Sequence, residues 1–166
     1  MKVAVERFES SRLRYREISD DDAETIVRWR SNPLIYRHFR NPEPLTLQKH
    51  IEWYRYIYFV DSTRIDYIIS EKQHNTPIGI IVVSDMQEHT LQIGYLIGEM
   101  SYQKKGFAAE AINAIINKYC KLGIYGFFAE IRFDNVASLK TIEKCGFSYI
   151  QNTDSDFVLY HKEISI

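Results

Sequence analysis

Apolar residues along this chain follow two rhythms. In the middle of the sequence, Ile65–Glu71, Pro77–Ser84 and Thr90–Gly98 are apolar-rich segments separated by the polar stretches Gln73-His74-Asn75-Thr76 and Asp85 to His89. Segments of this length bounded by turn residues read as strands, and three in succession read as an antiparallel meander. The run Ile78-Gly79-Ile80-Ile81-Val82-Val83 suits a buried strand. After Gly106 the period changes. Ile112, Ile115, Ile116 and Tyr119 recur at helical spacing, which predicts an amphipathic helix to about Lys121 that Gly123 stops.

The flanks add further elements. Leu13–Ile18 reads as a short strand, and Ser19, three residues before Asp22, gives a capping-box-like start to a helix running to about Arg30. Asn32-Pro33 ends that helix, because the residue before proline avoids the helical region. A loop rich in large side chains follows, Tyr36-Arg37-His38-Phe39-Arg40, kept irregular by Pro42 and Pro44. Thr46 caps a second helix through about Tyr58, with Ile51, Tyr54 and Tyr58 on one face. Towards the C-terminus, Tyr125–Arg132 reads as a strand and Asn135–Lys144 as a short helix closed by Gly146. Phe147–Asn152 and Asp156–Glu163 then form a hairpin around Thr153-Asp154-Ser155. The strand–helix–strand crossover requires a parallel pair within an otherwise antiparallel sheet. The expected fold is α/β (α+β), a mixed, mostly antiparallel sheet of about seven strands flanked by about four helices. Nothing resembling a repeat or linker interrupts it, so residues 1–166 are expected to form one domain.

Composition narrows the function classes. A net charge of −1 lacks the basic surplus of a nucleic-acid binder. The two cysteines, Cys120 and Cys145, form no CxxC pair and imply neither a disulfide framework nor a metal site. The N-terminus lacks the apolar run of a signal peptide, and no stretch reaches the ~20 apolar residues of a membrane span. These features lead us to expect a cytoplasmic protein without membrane or nucleic-acid partners. Twelve tyrosines, many near Trp53-Tyr54-Arg55-Tyr56-Ile57-Tyr58-Phe59, exceed what a core needs and are available for a groove or a homodimer interface.

The most informative segment lies between the third meander strand and the long helix, Gln103-Lys104-Lys105-Gly106-Phe107-Ala108. A helix N-terminus presents unpaired N–H groups and the positive end of the helix dipole, which together favour phosphate. Gly106 permits close backbone approach, Ala108 leaves the first turn free of bulk, and Lys104 and Lys105 add charge. The sequence contains neither GxxxxGK[ST] nor GxGxxG, so this is not a P-loop and a Rossmann site is not indicated. The physics specifies an anion cradle, or an ordinary loop before a core helix, and no more.

The segment resembles the Q/R-x-x-G-x-G/A motif of the GNAT acetyltransferase superfamily, with Gln103, Gly106 and Ala108 in the defining places. Downstream, Asn135-Val136-Ala137-Ser138 followed by Gly146-Phe147 is similar to the family's N-x-x-S/A…G-F segment. Leu13-Arg14 through Asn32-Pro33 resembles the opening of the ribosomal-protein and amino-sugar branches. The resemblance implies acetyl-CoA as co-substrate, with its pyrophosphate on residues 103–108 and with Asn135 and Ser138 nearby. It also implies a splayed strand pair whose pantetheine-binding backbone falls at Leu96, Ile97 and Gly98, and an acetyl transfer by direct attack of an amine on the thioester.

The sequence departs from the family at one position. Many relatives place a tyrosine seven residues after the asparagine, as acid for the thiolate; here that residue is Ile142. Ile142 therefore reads as core, and Ser138 is the candidate thiolate partner, with helix capping as its other reading. Glu99 is the candidate base at the strand end, with a solvated turn residue as its other reading, because the strand position where some relatives carry glutamate falls near Gln92. The segment Leu45–Trp53 and the loop Arg30-Ser31-Asn32-Pro33 resemble amino-sugar acetyltransferases that act on a nucleotide-linked 4-amino sugar. Tyr36, His38, His50 and Trp53 are the candidate substrate contacts. Acetylation of a protein N-terminus or side chain, or of a polyamine, is the alternative, as is a CoA-binding module without catalysis.

Overall fold

A computed structural model describes residues 5–165. Among these residues eight strands form one sheet: β1 (Phe8–Glu9), β2 (Leu13–Glu17), β3 (Ile65–Glu71), β4 (Thr76–Ser84), β5 (Thr90–Ile97), β6 (Gly126–Arg132), β7 (Ser148–Asn152) and β8 (Phe157–Glu163), in the order β1-β2-β3-β4-β5-β6-β8-β7. Five helices flank it: α1 (Ala23–Arg30), α2 (Pro33–Tyr36), α3 (Leu47–Tyr56), α4 (Phe107–Cys120) and α5 (Val136–Lys144). The mixed, mostly antiparallel sheet matches the expected class.

Alternation along the strands divides the apolar residues between two cores. Tyr67 and Ile69 of β3 and Ile81 and Val83 of β4 join Ala111, Ile112, Ile115 and Ile116 of α4 on one face. Ile68 and Ile80 join Ile26, Trp29 and Tyr58 on the other, beneath α1 and α3. The phase of β4 shifts at Ile78, the extra residue of a bulge where Ile69 pairs with Gly79 but Ser70 with Pro77. The Ile78 carbonyl accepts hydrogen bonds from both Gly98 N–H (2.7 Å) and Glu99 N–H (3.1 Å), which fixes the end of β5 against β4.

The one parallel pair is short. β5 and β6 pair only from Thr90–Gly126 to Gln92–Phe128, while β6 runs on antiparallel to β8 along its whole length. Beyond Gln92 the two strands have separated, which is the splay the resemblance implied.

Three local departures from expectation have simple causes. α1 ends before Asn32-Pro33 as expected, but Pro33 also opens a short helix: Asn32 Oδ1 accepts from Leu34 N–H at 3.0 Å, and proline at the first position of α2 needs no donor partner. The Ser19–Asp22 start opens first into a single 3-10 turn before α1. There the Asp22 carboxylate accepts from Ser19 N–H at 2.8 Å and takes both guanidinium nitrogens of Arg16 at 2.7 Å. The expected face of α3 is rotated: His50 is buried at 2% exposure while Ile51 is half-exposed, because Trp53 and Tyr54 pack on the Tyr58 ring.

Candidate active site: a loop cradle, an open strand edge and a cleft

The loop after β5 takes a conformation that suits an anion. A 3-10 turn at Met100–Tyr102 leads into Gln103, whose side-chain amide donates to the Ile97 carbonyl at 2.9 Å and ties the loop to the strand. Lys104 and Gly106 both take left-handed backbone, with φ of 59° and 81°. Gly106 is the residue before α4, and its carbonyl accepts from Glu110 N–H at 3.1 Å. The N–H groups of Phe107, Ala108 and Ala109 thus form the free first turn of α4. Phe107 is anchored in the core, and the side chains of Lys104 and Lys105 are exposed.

Arg12 completes this corner. Its guanidinium lies 4.1 Å over the Phe107 ring, donates to the Lys105 carbonyl at 3.1 Å, and pairs with Glu110 at 2.7 Å. Glu110 also accepts from Arg12 N–H and Ser10 Oγ. Burial alone would raise the Glu110 carboxyl; these donors outweigh it and hold the group below the usual range. The sequence marked no role for Arg12, which lies 93 residues before the loop it supports.

The gap edge of β5 is set by parity. Gly98 N–H is committed to Ile78, so alternation in an antiparallel pair turns Leu96 towards β4 as well and leaves Tyr95 and Ile97 on the β6 side, where no strand pairs beyond Gln92. Of the three residues singled out for the pantetheine arm, Ile97 alone presents its backbone to the gap. Gly98 serves another purpose: a side chain there would overlap the Trp29 ring.

Between the sheet face under α1 and the splayed end of β6 lies a cleft of 410 Å³. Its lining includes Gln92 to Leu96 of β5, Glu130 to Arg132 of β6, Arg30, His38 to Arg40, Arg64 and Asp66, with Asn135 and Ser138 at its far side. Such a volume suits a small-molecule ligand. Asn135 Oδ1 accepts from Ser138 N–H at 3.3 Å, a long N-cap bond to α5. The Tyr95 hydroxyl donates to the Ser138 carbonyl at 3.3 Å, and burial pushes that phenol up to about 12. Tyr95 and Ser138 therefore meet where the strands part. Tyr95 carried no motif signal in the sequence and reads there as one more strand aromatic.

The other candidates fall as follows. Ile142 is fully buried at 0% exposure, as core, and cannot reach the cleft. Glu99 does not line the cleft. Its Oε1 accepts from Trp29 Nε1 at 2.8 Å and from Arg28, and Arg28 first, with Trp29, holds the carboxyl below its ordinary range against the opposing effect of burial. That arrangement fastens α1 to the end of β5 and makes Glu99 a weak base. His38 lines the cleft; Tyr36, His50 and Trp53 do not. Trp53 acts one step back, with the Arg64 guanidinium 5.1 Å over its ring.

The charges of the cleft are mostly paired. Arg64 grips Asp66 at 2.7 and 3.0 Å, Arg40 bonds Glu130 and Asp154, and Arg132 pairs with Asp134 at 2.9 Å. Arg30 lines the same cleft without an ion pair among the described residues, its guanidinium lying 5.0 Å over the Phe39 ring.

Comparison with known proteins agrees with this geometry. Residues 12–148 match the family described as acetyltransferase (GNAT) domain. The chain belongs to that family. It is 32% identical over 142 residues to an uncharacterized protein of Methanocaldococcus jannaschii, covering 84% of this chain; the chain spans only 28% of that relative's length. A domain from Methanocaldococcus jannaschii of known structure superposes with a TM-score of 0.84 at 29% identity, over 93% of this chain and all (100%) of that one. The spermidine N-acetyltransferase of Vibrio cholerae, solved with CoA and spermine, superposes with a TM-score of 0.82 at 18% identity, over 93% of this chain and 96% of that one. Among the described residues no helix is long and apolar enough to cross a membrane, and no group of His, Cys, Asp and Glu is placed to hold a metal.

Proposed function

We propose that the chain is a cytoplasmic, acetyl-CoA-dependent N-acetyltransferase acting on the primary amine of a small molecule, a nucleotide-linked amino sugar. The observation that carries the reading is the continuity of the site. The cradle at 103–108, the unpaired edge at Tyr95 and Ile97, and the cleft ending at Ser138 form one path through the splayed sheet.

Acetyl-CoA supplies an activated acetyl thioester. The first-turn N–H groups of α4 and the backbone at Gly106, with Lys104, Lys105 and Arg12 around them, hold its pyrophosphate. The open N–H of Ile97 and its neighbours on β5 pair with the amides of the arm. The acceptor amine enters from the cleft and attacks the carbonyl carbon; the C–N bond forms as the C–S bond breaks, the amine proton passes through water to solvent, and the CoA thiolate that leaves takes its proton from solvent. Tyr95, turning its hydroxyl from the Ser138 carbonyl, and the Ser138 hydroxyl then supply hydrogen bonds to the charge developing on sulfur. A phenol pushed up to about 12 stays protonated at neutral pH, so it is a donor throughout.

Polyamine acceptance fits poorly. The carboxylates of Asp66 and Glu130 are taken by Arg64 and Arg40, and Arg30 adds a cation with no carboxylate partner among the described residues, so the cleft offers a polycation no free anion. The burial of Ile142, which leaves α5 without a tyrosine, favours a second reading, a CoA-binding module without catalysis.

Acetyl-CoA and a panel of amines, with free thiol followed, separate the two. Amine-dependent thiol release, lowered at least tenfold by the double variant Tyr95→Phe/Ser138→Ala with acetyl-CoA affinity unchanged, is the expected result. Tight acetyl-CoA binding with no thiol release on any amine would establish the binding module. Release with amino-terminal peptides but none with amino sugars would transfer the function to protein acetylation.

A further inference from the structure

We propose that Arg30 and His38 form an anion subsite in the cleft that holds the phosphate of a nucleoside diphosphate. Calling this the acceptor's phosphate rests on the acetyl-transfer reading; the binding site itself does not.

The charge pattern comes first. Each other arginine of the cleft already faces a carboxylate, and both cleft carboxylates, Asp66 and Glu130, are taken by Arg64 and Arg40. Arg30, at the last position of α1, is half-buried and keeps its guanidinium donors unused among the described residues. Burial and the neighbouring Arg64 both disfavour its charge, with Asp66 opposing them in part. A half-buried cation facing a second cation is unfavourable unless an anion joins them.

The hydrogen-bond pattern points the same way. Arg37 Nε donates to His38 Nε2 at 3.2 Å, so that nitrogen is an acceptor and the proton of the neutral ring sits on Nδ1. Burial first, then Arg37, lowers the His38 pKa and keeps the ring neutral. Nδ1 is buried without a partner. His38 is adjacent in the chain to Phe39, whose ring lies under the Arg30 guanidinium, and both Arg30 and His38 line the one cleft.

That donor set fits phosphate. A carboxylate has two oxygens and is satisfied by one guanidinium fork, as Asp66 is by Arg64. Arg30 supplies a fork, His38 a further donor, and Arg64 adds positive field from beside Arg30, which suits the several oxygens of a phosphate. The site is distinct from the cradle at α4, which is built from residues 103–108 and Arg12.

The test uses the full chain saturated with CoA, so that the cradle is occupied and no nucleotide probe can report on it. Uridine diphosphate, inorganic pyrophosphate and glutarate are titrated by calorimetry. Uridine diphosphate is expected to bind saturably, pyrophosphate to compete with it, and glutarate to compete at least tenfold more weakly. Arg30→Gln and, separately, His38→Ala should each weaken uridine diphosphate at least fivefold with CoA affinity within twofold of the parent, which also certifies the fold. Wild-type affinity in both variants, or no saturable binding of either phosphate probe, would overturn the subsite. Glutarate competing as well as pyrophosphate would overturn the phosphate assignment. Should the parent chain fail to bind CoA, the acetyl-transfer reading falls, while the same titration on the free chain still reads the Arg30 and His38 effects.

Discussion

At the scale of single residues, chemistry and conformation separate cleanly. Gly106 at φ 81° is the residue on which the cradle turns. A side chain there would meet only the Arg12 guanidinium, at 3.5 Å, so the fold has room for it. The left-handed backbone would cost on the order of 1–3 kcal/mol, and the added atoms would stand where an anion approaches. Gly106→Val is therefore expected to stay folded and to lose at least tenfold in acetyl-CoA affinity by calorimetry. Unchanged affinity would remove the cradle from the mechanism. The Arg16–Asp22 pair gives a second residue-scale test. Burial alone would raise the Asp22 carboxyl, but Arg16 first, then Ser19, outweigh it and leave its folded pKa depressed. A depressed carboxylate contributes stability that is complete above its unfolded pKa of about 3.9 and is lost as pH falls through the folded value. Asp22→Asn should thus cost about 2 kcal/mol in urea unfolding at pH 7, and the difference from the parent should shrink in strong acid. A constant difference at all pH values would show that the cost is packing and not charge. The local conformations at Gln103, Gly106 and Ser138 were legible in the sequence because they depend on near neighbours. Arg30, Arg64 and Tyr95 were not: each reads locally as an ordinary helix, loop or strand residue, and only the sheet brings them together.

At the scale of elements, the sequence located strands and helices well where periodicity was strong, as in α4 and β4. It missed β1, which is two residues long and exists only by pairing with β2. It also placed the exposed and buried faces of α3 one step off, because the rings of Trp53 and Tyr54 pack sideways on Tyr58 and draw His50 inward. The bulge at Ile78 was not legible either, nor was the register of β5 on β4, which decides which backbone groups of β5 face the gap. That parity is testable. On adding acetyl-CoA, exchange of the Tyr95 and Ile97 amides should slow, while Leu96 and Gly98, already turned to β4, should change little. Equal slowing at all four would show that the ligand orders the strand generally and does not pair with its edge. The same segment carries the packing test. Gly98→Ala would drive a methyl into the Trp29 ring, against backbone held by Ile78, and is expected to cost about 3 kcal/mol or more.

At the scale of the whole molecule, the sheet is two blocks joined at a narrow neck. β1 to β5 form one antiparallel block with α1 to α3 on one face, and β6, β8 and β7 form the other. Among the described residues only Thr90–Gln92 against Gly126–Phe128 links them strand to strand, with α4 packed across the opposite face. A ligand lying between β5 and β6 would act as a missing strand segment, so it binds the folded chain and has no counterpart in the unfolded one. Linkage then sets the size of the effect. At one hundred times its dissociation constant, acetyl-CoA should add about 2.7 kcal/mol. For a chain of this length that corresponds to a rise in Tm of roughly 5–10 °C. A truncated donor tests where the gain arises. Adenosine 3′,5′-bisphosphate, which lacks the arm, should stabilise the chain only through the cradle, so at matched saturation of each ligand the slow exchange across β5 and β6 should appear with acetyl-CoA alone. If the bisphosphate protects Tyr95 and Ile97 equally, the two blocks are coupled through α4, and the strand gap is a passive slot.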